Sequence, residues 1–281
     1  MTEFDSLGDD ASTAPVDLHG RAATIWIDRA ARLNTLDAKT VAGLHAAIDV
    51  ALAEGVSFVA FRAQGSSFCS GLDLSTLESE SEGDIALRIV RAELLVQRVH
   101  SLPVTTAAIA EGDLAGAGVD LFAACDHRVV TPEVWFSYPG LAFGFLLGTG
   151  RLTALLGEAA TRSLLMHDGR IGAIEAVELG LATHCVDADQ AEQTLADLRS
   201  LAGRFDAPTI RLARERTRSA DDASDLSALV RSIERPGLKR RALDYRHHLS
   251  AMTTTRSSLR PTARTVERES DVEAKSMKLG G

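Results

Sequence analysis

The sequence reads GDLAGAGVDLFAACDHRVV from Gly112 to Val130, and this stretch decides the fold. An apolar segment, VTTAAIA (104–110), precedes it and predicts a strand. Small residues at 115–118 allow the backbone to approach a neighbouring segment or a ligand closely. A helix that begins there presents unpaired N–H groups and the positive end of its dipole. The stretch therefore predicts a strand, a tight turn and a helix packed closely on a sheet.

A second glycine turn, FCSGLDL (68–74), follows another apolar segment, SFVAFRA (57–63). Gly71 would let successive backbone N–H groups point outward into a site. Two N–H groups aimed at one point form an oxyanion hole, which stabilises negative charge on a reacting oxygen. Each turn alone is also typical of plain structure, but together the two turns indicate a site.

Strand and helix patterns alternate along the rest of the chain. Further strands are predicted at ATIWID (23–28) and DHRVVT (126–131). Asp37 predicts the cap of a helix that ends just before Gly55. Apolar residues at helical spacing predict more helices at 84–100, 158–166, 173–179, 189–204, 207–219 and 224–250. The alternation predicts an α/β fold with a mostly parallel sheet.

Composition divides the chain into four parts. Residues 1–18 are acidic and rich in small polar residues, and we expect a mobile lead there. The alternating core is expected to cover 19–203, and a helical region to cover 204–252. Residues 253–281 are polar and lack aromatic side chains, which predicts a disordered tail.

Charge and cysteine content exclude several classes of function. The 281 residues carry a net charge of −9, which argues against nucleic acid as a partner. The three cysteines are far apart and show no metal-binding spacing, so we expect reduced thiols, a cytoplasmic location and no metal. No apolar run is long enough to span a membrane. Gly116 and Gly118 do not begin a dinucleotide-binding motif, because Leu121 stands where its third glycine would be.

Several ordered motifs resemble the enoyl-CoA hydratase/isomerase (crotonase) superfamily. The motifs are RAARLNTL (29–36), FCSGLDL (68–74), GDLAGAGVDLFAACDHRVV (112–130), GTGRL (148–152) and AVELGLATHCVD (176–187). Together they cover roughly residues 22–190, and Ala30 stands where the family usually has proline. The resemblance implies a spiral of ββα turns with a C-terminal helical region, a homotrimer or hexamer, and an acyl-CoA thioester as ligand.

The resemblance also implies which residues bind and react. The backbone N–H groups of Leu72 and Ala117 would hold the thioester oxygen and stabilise an enolate. The backbone around Leu72, Asp73 and Leu74 would contact the adenine and pantetheine of coenzyme A, and Arg32 would lie near its phosphates. Coenzyme A arrives as part of the substrate, so no separate cofactor is expected.

The acids depart from the family pattern. Hydratases of the family use two glutamates to hold and activate water. Asp120 matches the first glutamate and is one methylene shorter, whereas Gly140 stands at the second. No acid occurs from Val134 to Gly157. Asp120 is therefore the candidate for a lone acid/base, and Tyr138 is a possible proton donor.

Three functions remain open from the sequence. The first is an enzyme that acts on acyl-CoA through an enolate, as a hydratase or an isomerase. The second is an acyl-CoA-binding protein that has lost its chemistry, as Gly140 would favour. The third is decarboxylation of a malonyl-type CoA ester, which needs the oxyanion hole but no base. Leu114, Phe143, Phe145 and Leu146 suggest an apolar acyl pocket.

Overall fold

The structure, a computed structural model, describes residues 13–166, 170–217 and 221–247. Its strands are β1 (Val16–His19), β2 (Ala22–Ile27), β3 (Phe58–Ala63), β4 (Ser67–Cys69), β5 (Thr105–Ala110), β6 (Asp113–Ala115), β7 (His127–Val130), β8 (Trp135–Ser137), β9 (Arg170–Gly172) and β10 (His184–Cys185). Its helices are α1 (Ala38–Ala53), α2 (Glu82–His100), α3 (Ala117–Ala123), α4 (Gly140–Phe143), α5 (Thr149–Leu156), α6 (Glu158–Met166), α7 (Ala173–Glu178), α8 (Ala191–Ala202), α9 (Ala207–Thr217), α10 (Asp222–Ile233) and α11 (238–247).

The strands form two sheets that run side by side along the molecule. The larger sheet has the order β1-β2-β3-β5-β7-β10, and the smaller has the order β4-β6-β8-β9. Each of β3, β5 and β7 is followed along the chain by a short strand of the smaller sheet and then by helix. Since β2, β3, β5 and β7 pair in parallel, each ββα turn advances the chain by one strand. This arrangement confirms the predicted α/β spiral of ββα turns with helices at its C-terminal end.

Close packing of α3 on the smaller sheet sets the distance between the two glycine turns. A Cβ placed on Gly118 would lie only 2.0 Å from the backbone oxygen of Cys69. One helical turn further along the same face of α3, the ring of Phe122 packs edge-on against Phe68 and Phe136, with centroids 6.1 and 5.4 Å away. Close backbone contact and a buried aromatic cluster on this face therefore fix the helix against the sheet.

Side-chain caps fix where the first two helices, α1 and α2, begin. The Asp37 side chain accepts a hydrogen bond from the Thr40 N–H at 2.7 Å and caps α1. Ser81 and Asp84 form a reciprocal capping box, so α2 begins at Glu82 rather than at the predicted residue 84. No helix in the described residues is long and apolar enough to cross a membrane.

The prediction of one continuous helix over 224–250 is wrong. Helix α10 ends at Ile233, and α11 begins only at residue 238. Pro236 lacks an N–H donor and disfavours helical backbone before it, and Gly237 adopts a left-handed φ of +78°. The proline and glycine therefore separate two helices that both return to the body of the protein.

The ordered body also begins earlier than predicted. Strand β1 lies partly within the expected lead of residues 1–18, and Val16 to His19 pair antiparallel with β2. The rest of that lead, residues 1–12, and the expected tail at 253–281 lie outside the described residues. The short strands of the smaller sheet were not predicted, because three residues are too few to show periodicity.

Candidate active site

A cavity of about 370 Å³ opens between the two glycine turns. Its wall includes the turns at Leu72 and Ala117, residues between Ser137 and Leu147, and Tyr245 of α11. Most of the wall is apolar, and Asp120 is the one charged side chain among the described residues that line it. This volume and lining are typical of sites for small organic ligands.

The first turn directs the Leu72 N–H toward the cavity. Leu36 donates its N–H to the Gly71 oxygen at 2.7 Å, and Asp73 donates its N–H to the Leu36 oxygen at 3.0 Å. In such a parallel bridge the intervening residue, Leu72, points its own N–H to the opposite side. That side is the cavity, which Leu72 lines.

The second turn presents the Ala117 N–H in the same region. Ala117 is the first residue of α3, so its N–H has no acceptor within the helix. Gly116 has a φ of +48° and donates its N–H to the Ser137 oxygen at 3.0 Å, which fixes the start of the helix. A Cβ on Gly71 would lie 2.8 Å from the Ala115 oxygen and 3.4 Å from the Ala117 nitrogen. The two turns therefore touch.

A buried polar cluster holds the first turn in place. The Arg29 guanidinium contacts the carboxylates of Asp73 at 2.6 Å and Asp37 at 3.0 Å. Burial opposes ionisation of Asp73, but hydrogen bonds from Ser75 and the Arg29 guanidinium outweigh it and lower the pKa of this carboxyl to about 2. The Asn34 side chain is fully buried and donates to the backbone oxygens of residues 64 and 67. These contacts give Arg29 and Asn34 of the sequence motif a structural role in holding the first turn.

Asp120 of α3 extends its carboxyl group toward the start of α5. The side chain is 9% exposed, and a Cβ on Gly148 would lie only 2.0 Å from its Oδ1. Gly148 has a φ of +62° and immediately precedes α5. A side chain at position 148 would occupy the space of the Asp120 carboxyl group, and the positive φ favours glycine. The packing and the backbone conformation therefore both require glycine at this position.

Behind Asp120 lies a buried ion-pair cluster that the sequence did not predict. Arg151 of α5 donates to both oxygens of Glu93 of α2 at 2.6 and 2.7 Å, and both side chains are buried. Arg151 also contacts Asp225 of α10 at 3.4 Å. A Cβ on Gly150 would lie 2.1 Å from the Asp225 carboxylate, so α10 reaches directly into the start of α5.

The cluster leaves Asp120 with too little positive charge nearby. Burial raises the pKa of Asp120 well above its usual value; Arg151 opposes the rise, whereas Glu93 and Asp225 add to it. Because Arg151 is already committed to two other carboxylates, its charge does not compensate for the loss of water around Asp120. The cavity thus contains a carboxyl group that holds its proton to a higher pH than an ordinary aspartate.

Tyr138 brings a second polar group to the cavity wall. The residue is 5% exposed, and its hydroxyl has no hydrogen-bond partner in the described residues. Burial, and then the nearby charge of Asp120, raise the pKa of this hydroxyl well above its usual value. Tyr138 is therefore a neutral hydrogen-bond donor at all ordinary pH values.

Gly140 adds no acid to this wall. It is the first residue of α4, and a Cβ built on it would meet only the Phe145 oxygen, at 3.5 Å. The wall therefore has room for a side chain at this position and lacks one. Of the described residues that line the cavity, Asp120 is the only one with a carboxyl group.

Of the other predicted residues, some line the cavity and others do not. Leu74, Phe145 and Leu146 line the cavity, as does Leu33. Leu114 is buried in the core instead, and the side chain of Phe143 lies outside the described residues. Arg32 is exposed and is not among the residues that line the cavity, although its neighbour Leu33 is.

The residues missed by sequence reasoning are Glu93, Arg151 and Asp225. A sequence signal existed for Glu93, because a charge on the apolar face of a helix needs a buried partner. Cys69 is fully buried, and burial raises the pKa of its thiol to about 12, so this thiol packs in the core and is not an activated nucleophile. The described residues contain no group of three or more side chains that could hold a metal ion.

Comparison with known proteins decides the family. A model of the enoyl-CoA hydratase/isomerase family matches residues 22–278. The chain belongs to this family. A solved enoyl-CoA hydratase/isomerase family structure from Bordetella parapertussis superposes with a TM-score of 0.80 at 37% identity, over 83% of this chain and 98% of that one.

Relatives by sequence carry the same family name. The protein echA6 of Mycobacterium bovis, whose name assigns it to the enoyl-CoA hydratases, is 29% identical over 64% of this chain and 73% of its own length. Enoyl-CoA hydratase domain-containing protein 2 of Mus musculus is 33% identical over 48% of this chain and 46% of its own. Family membership indicates an enzyme that processes acyl-CoA.

Proposed function

We propose that this enoyl-CoA hydratase/isomerase family enzyme moves a proton along the acyl chain of a CoA thioester. The thioester oxygen would bind the N–H groups of Leu72 and Ala117, and Asp120 would act as the lone acid/base. One observation supports this most: two amides on touching turns face a cavity whose described wall contains a single buried carboxyl group.

Each step of this reaction balances with the groups in the cavity. Asp120 takes a proton from C2 of a 3-enoyl thioester, and the electron pair of that C–H bond moves into the thioester to form an enolate. The two amides stabilise the negative oxygen. Asp120 then returns the proton to C4 as the electrons move back, which shifts the double bond into conjugation with the thioester.

The raised pKa of Asp120 suits this role. A carboxylate with a higher pKa is a stronger base toward a weakly acidic C–H group, and its acid form still returns the proton. Hydration would need a water held and activated by two acids, and Gly140 supplies no second one. We therefore place isomerisation ahead of hydration.

The same absence supports a second candidate, an acyl-CoA-binding protein without catalysis. Turnover of a panel of thioesters separates the candidates: a 3-enoyl-CoA, crotonyl-CoA and a malonyl-type CoA, with calorimetric binding of each in parallel. We expect isomerisation of the 3-enoyl thioester, and its loss in Asp120→Asn with binding retained, because the oxyanion donors are backbone groups. Binding without turnover of any thioester would favour an acyl-CoA-binding protein without catalysis. Turnover of the malonyl-type CoA alone would favour a decarboxylase, the third function that the sequence left open. An absence of binding to every thioester would refute all three.

Coenzyme A would run along the backbone of Leu72, Asp73 and Leu74, with Arg32 near its phosphates. The cycle above needs no metal and no cofactor besides the coenzyme A of the substrate. An assay after exhaustive dialysis against a chelator tests this, since activity should be unchanged.

We also propose a homotrimer or hexamer in the cytoplasm. Large apolar side chains remain exposed on the C-terminal helices and near α7, including Ile174 at 61% and Leu212 at 58% exposure. A second copy of the chain would cover such side chains. A sedimentation mass of 29.9 kDa, that of one chain, would contradict this assembly. The free state of the described cysteines is consistent with a reducing compartment.

A further inference from the structure

The hydroxyl group of Tyr138 lacks a partner in the part of the chain that the structure describes. The side chain is 5% exposed and lines the cavity, so water does not freely replace a missing partner. Buried hydroxyls are normally hydrogen-bonded, and an unsatisfied one at a site calls for an explanation. A ligand that accepts a hydrogen bond from Tyr138 would supply that explanation.

The ligand needs a second oxygen for this bond. In the proposed function, the thioester oxygen is already bound by the N–H groups of Leu72 and Ala117. Tyr138 follows Ser137, whose backbone oxygen accepts the Gly116 N–H, so the tyrosine leaves the wall beside the oxyanion turn. Its neighbour Gly140 leaves space in the wall. The acceptor therefore lies on the acyl chain, beyond the thioester carbonyl.

The charge of the wall determines the kind of oxygen. Of the described residues that line the cavity, none is Lys, Arg or His, and Asp120 is an acid. The buried Arg151 pairs with Glu93 and Asp225. Arg241, whose guanidinium lies 5.7 Å from the ring centroid of the cavity residue Phe145, donates to the backbone oxygens of residues 232 and 235. A carboxylate on the acyl chain would lose its hydration without gaining a cation, which is unfavourable. A ketone or a hydroxyl group would lose far less.

We propose that Tyr138 is a specificity-determining residue that donates a hydrogen bond to an uncharged oxygen on the acyl chain. The site then prefers acyl-CoA thioesters with a keto or hydroxyl group over unsubstituted chains and over chains with a carboxylate. This inference rests on the proposed function only in requiring that the ligand is an acyl-CoA thioester.

Calorimetry with three thioesters tests the preference on the wild-type protein. Acetoacetyl-CoA and butyryl-CoA have the same chain length and differ in one keto oxygen, whereas malonyl-CoA carries a carboxylate near the same place. We expect acetoacetyl-CoA to bind about 5- to 100-fold more tightly than butyryl-CoA, the range for a hydrogen bond that also satisfies a buried donor. Malonyl-CoA should bind most weakly.

Two matched variants assign the preference to one residue. Tyr138→Phe should weaken acetoacetyl-CoA binding to the level of butyryl-CoA and leave butyryl-CoA binding unchanged. Tyr245→Phe makes the same chemical change at the other tyrosine of the wall and should preserve the ratio of the two affinities. Tyr245 is the control because it belongs to a buried apolar cluster that also contains Leu77, Ile85 and Ile89.

Several outcomes would overturn the inference. Equal binding of the first two ligands, tightest binding of malonyl-CoA, or a ratio that survives Tyr138→Phe would each contradict it, and so would a ratio that is lost only in Tyr245→Phe. These outcomes leave the proposed function intact, since the thioesters still bind. If no thioester binds at all, the proposed function is refuted and the inference with it.

Discussion

Replacement of Asp120 by Asn should remove a penalty on stability that grows with pH. The carboxyl group of Asp120 is buried, and its pKa is raised well above the usual value, first by burial and then by the negative charges of Glu93 and Asp225 against the opposing Arg151. Asn has nearly the same size and shape as a protonated aspartic acid. The variant should therefore fold like the wild type at low pH and differ from it as the pH rises.

The size of the effect follows from proton linkage. The unfolded chain releases the proton of Asp120 near pH 3.8, whereas the folded protein keeps it to a higher pH. Between these two pKa values the folded state binds one proton more, so the free energy of unfolding falls by about 1.4 kcal/mol for each pH unit. Below both values there is no penalty, and above both the penalty is constant. The Asn variant has no such slope.

The groups that face Asp120 come from several elements and are present in both proteins. They are Cys69, Glu93, Tyr138, Arg151 and Asp225. Their own titrations largely cancel when the variant is compared with the wild type at each pH. The titration of Asp225 does not cancel in the same way. Its pKa is also raised by burial, and its negative charge raises the pKa of Asp120.

Urea unfolding of both proteins at closely spaced pH values measures the difference directly. The unfolding free energy of Asp120→Asn minus that of the wild type should rise with pH and then level off at the folded-state pKa. In the wild type, kcat/KM for isomerisation should rise about tenfold per pH unit over the same interval, because the base form of Asp120 starts the reaction. A difference that stays flat across the whole pH range would show that Asp120 has the same pKa in the folded and the unfolded protein, and would refute the reasoning.

Three further changes test the geometry around Asp120. Gly148→Ala should lower turnover about 100-fold with thioester binding retained. The added Cβ would lie 2.0 Å from Oδ1 of Asp120 and would displace the carboxyl group. Steady-state kinetics measures the turnover, and calorimetry measures the binding. Glu93→Gln should lower the unfolding free energy by about 3–5 kcal/mol in urea titrations, because it leaves the buried Arg151 underneutralised; an unchanged midpoint would contradict this. Gly140→Glu should increase crotonyl-CoA hydration at least 100-fold by supplying a second acid, and an unchanged rate would mean that the two-acid comparison does not apply.

Local features of the chain were predictable from the sequence because their causes are local. The Asp37 cap, the glycine turns before Leu72 and Ala117, and the alternation of strands and helices all depend on residues within one turn or strand. The break at Pro236 was also readable, since proline followed by glycine seldom continues a helix. The break was missed because apolar residues recur at helical spacing both before and after Pro236.

The ion-pair cluster could not be predicted in the same way. Arg151 and Glu93 are 58 residues apart, and Arg151 and Asp225 are 74 residues apart. Only the folded spiral brings α2, α5 and α10 to one point. The sequence showed that charges occur on partly apolar helices, but periodicity carries no information about which charge meets which.

The cluster explains how a single aspartate can serve as the acid/base of this cavity. If Arg151 were free, it would stabilise the Asp120 carboxylate and make it a weak base. Both oxygens of Glu93 accept hydrogen bonds from Nη2 of Arg151, and the Asp225 carboxylate lies 3.4 Å from Nη1, so Asp120 stands beside a cation that is already neutralised. The proposed oxyanion hole, in turn, would consist of backbone N–H groups and would need no cation. The cavity can therefore bear one negative charge at a time, either on Asp120 or on the enolate, and moving the proton between Asp120 and the substrate moves that charge between two places prepared for it.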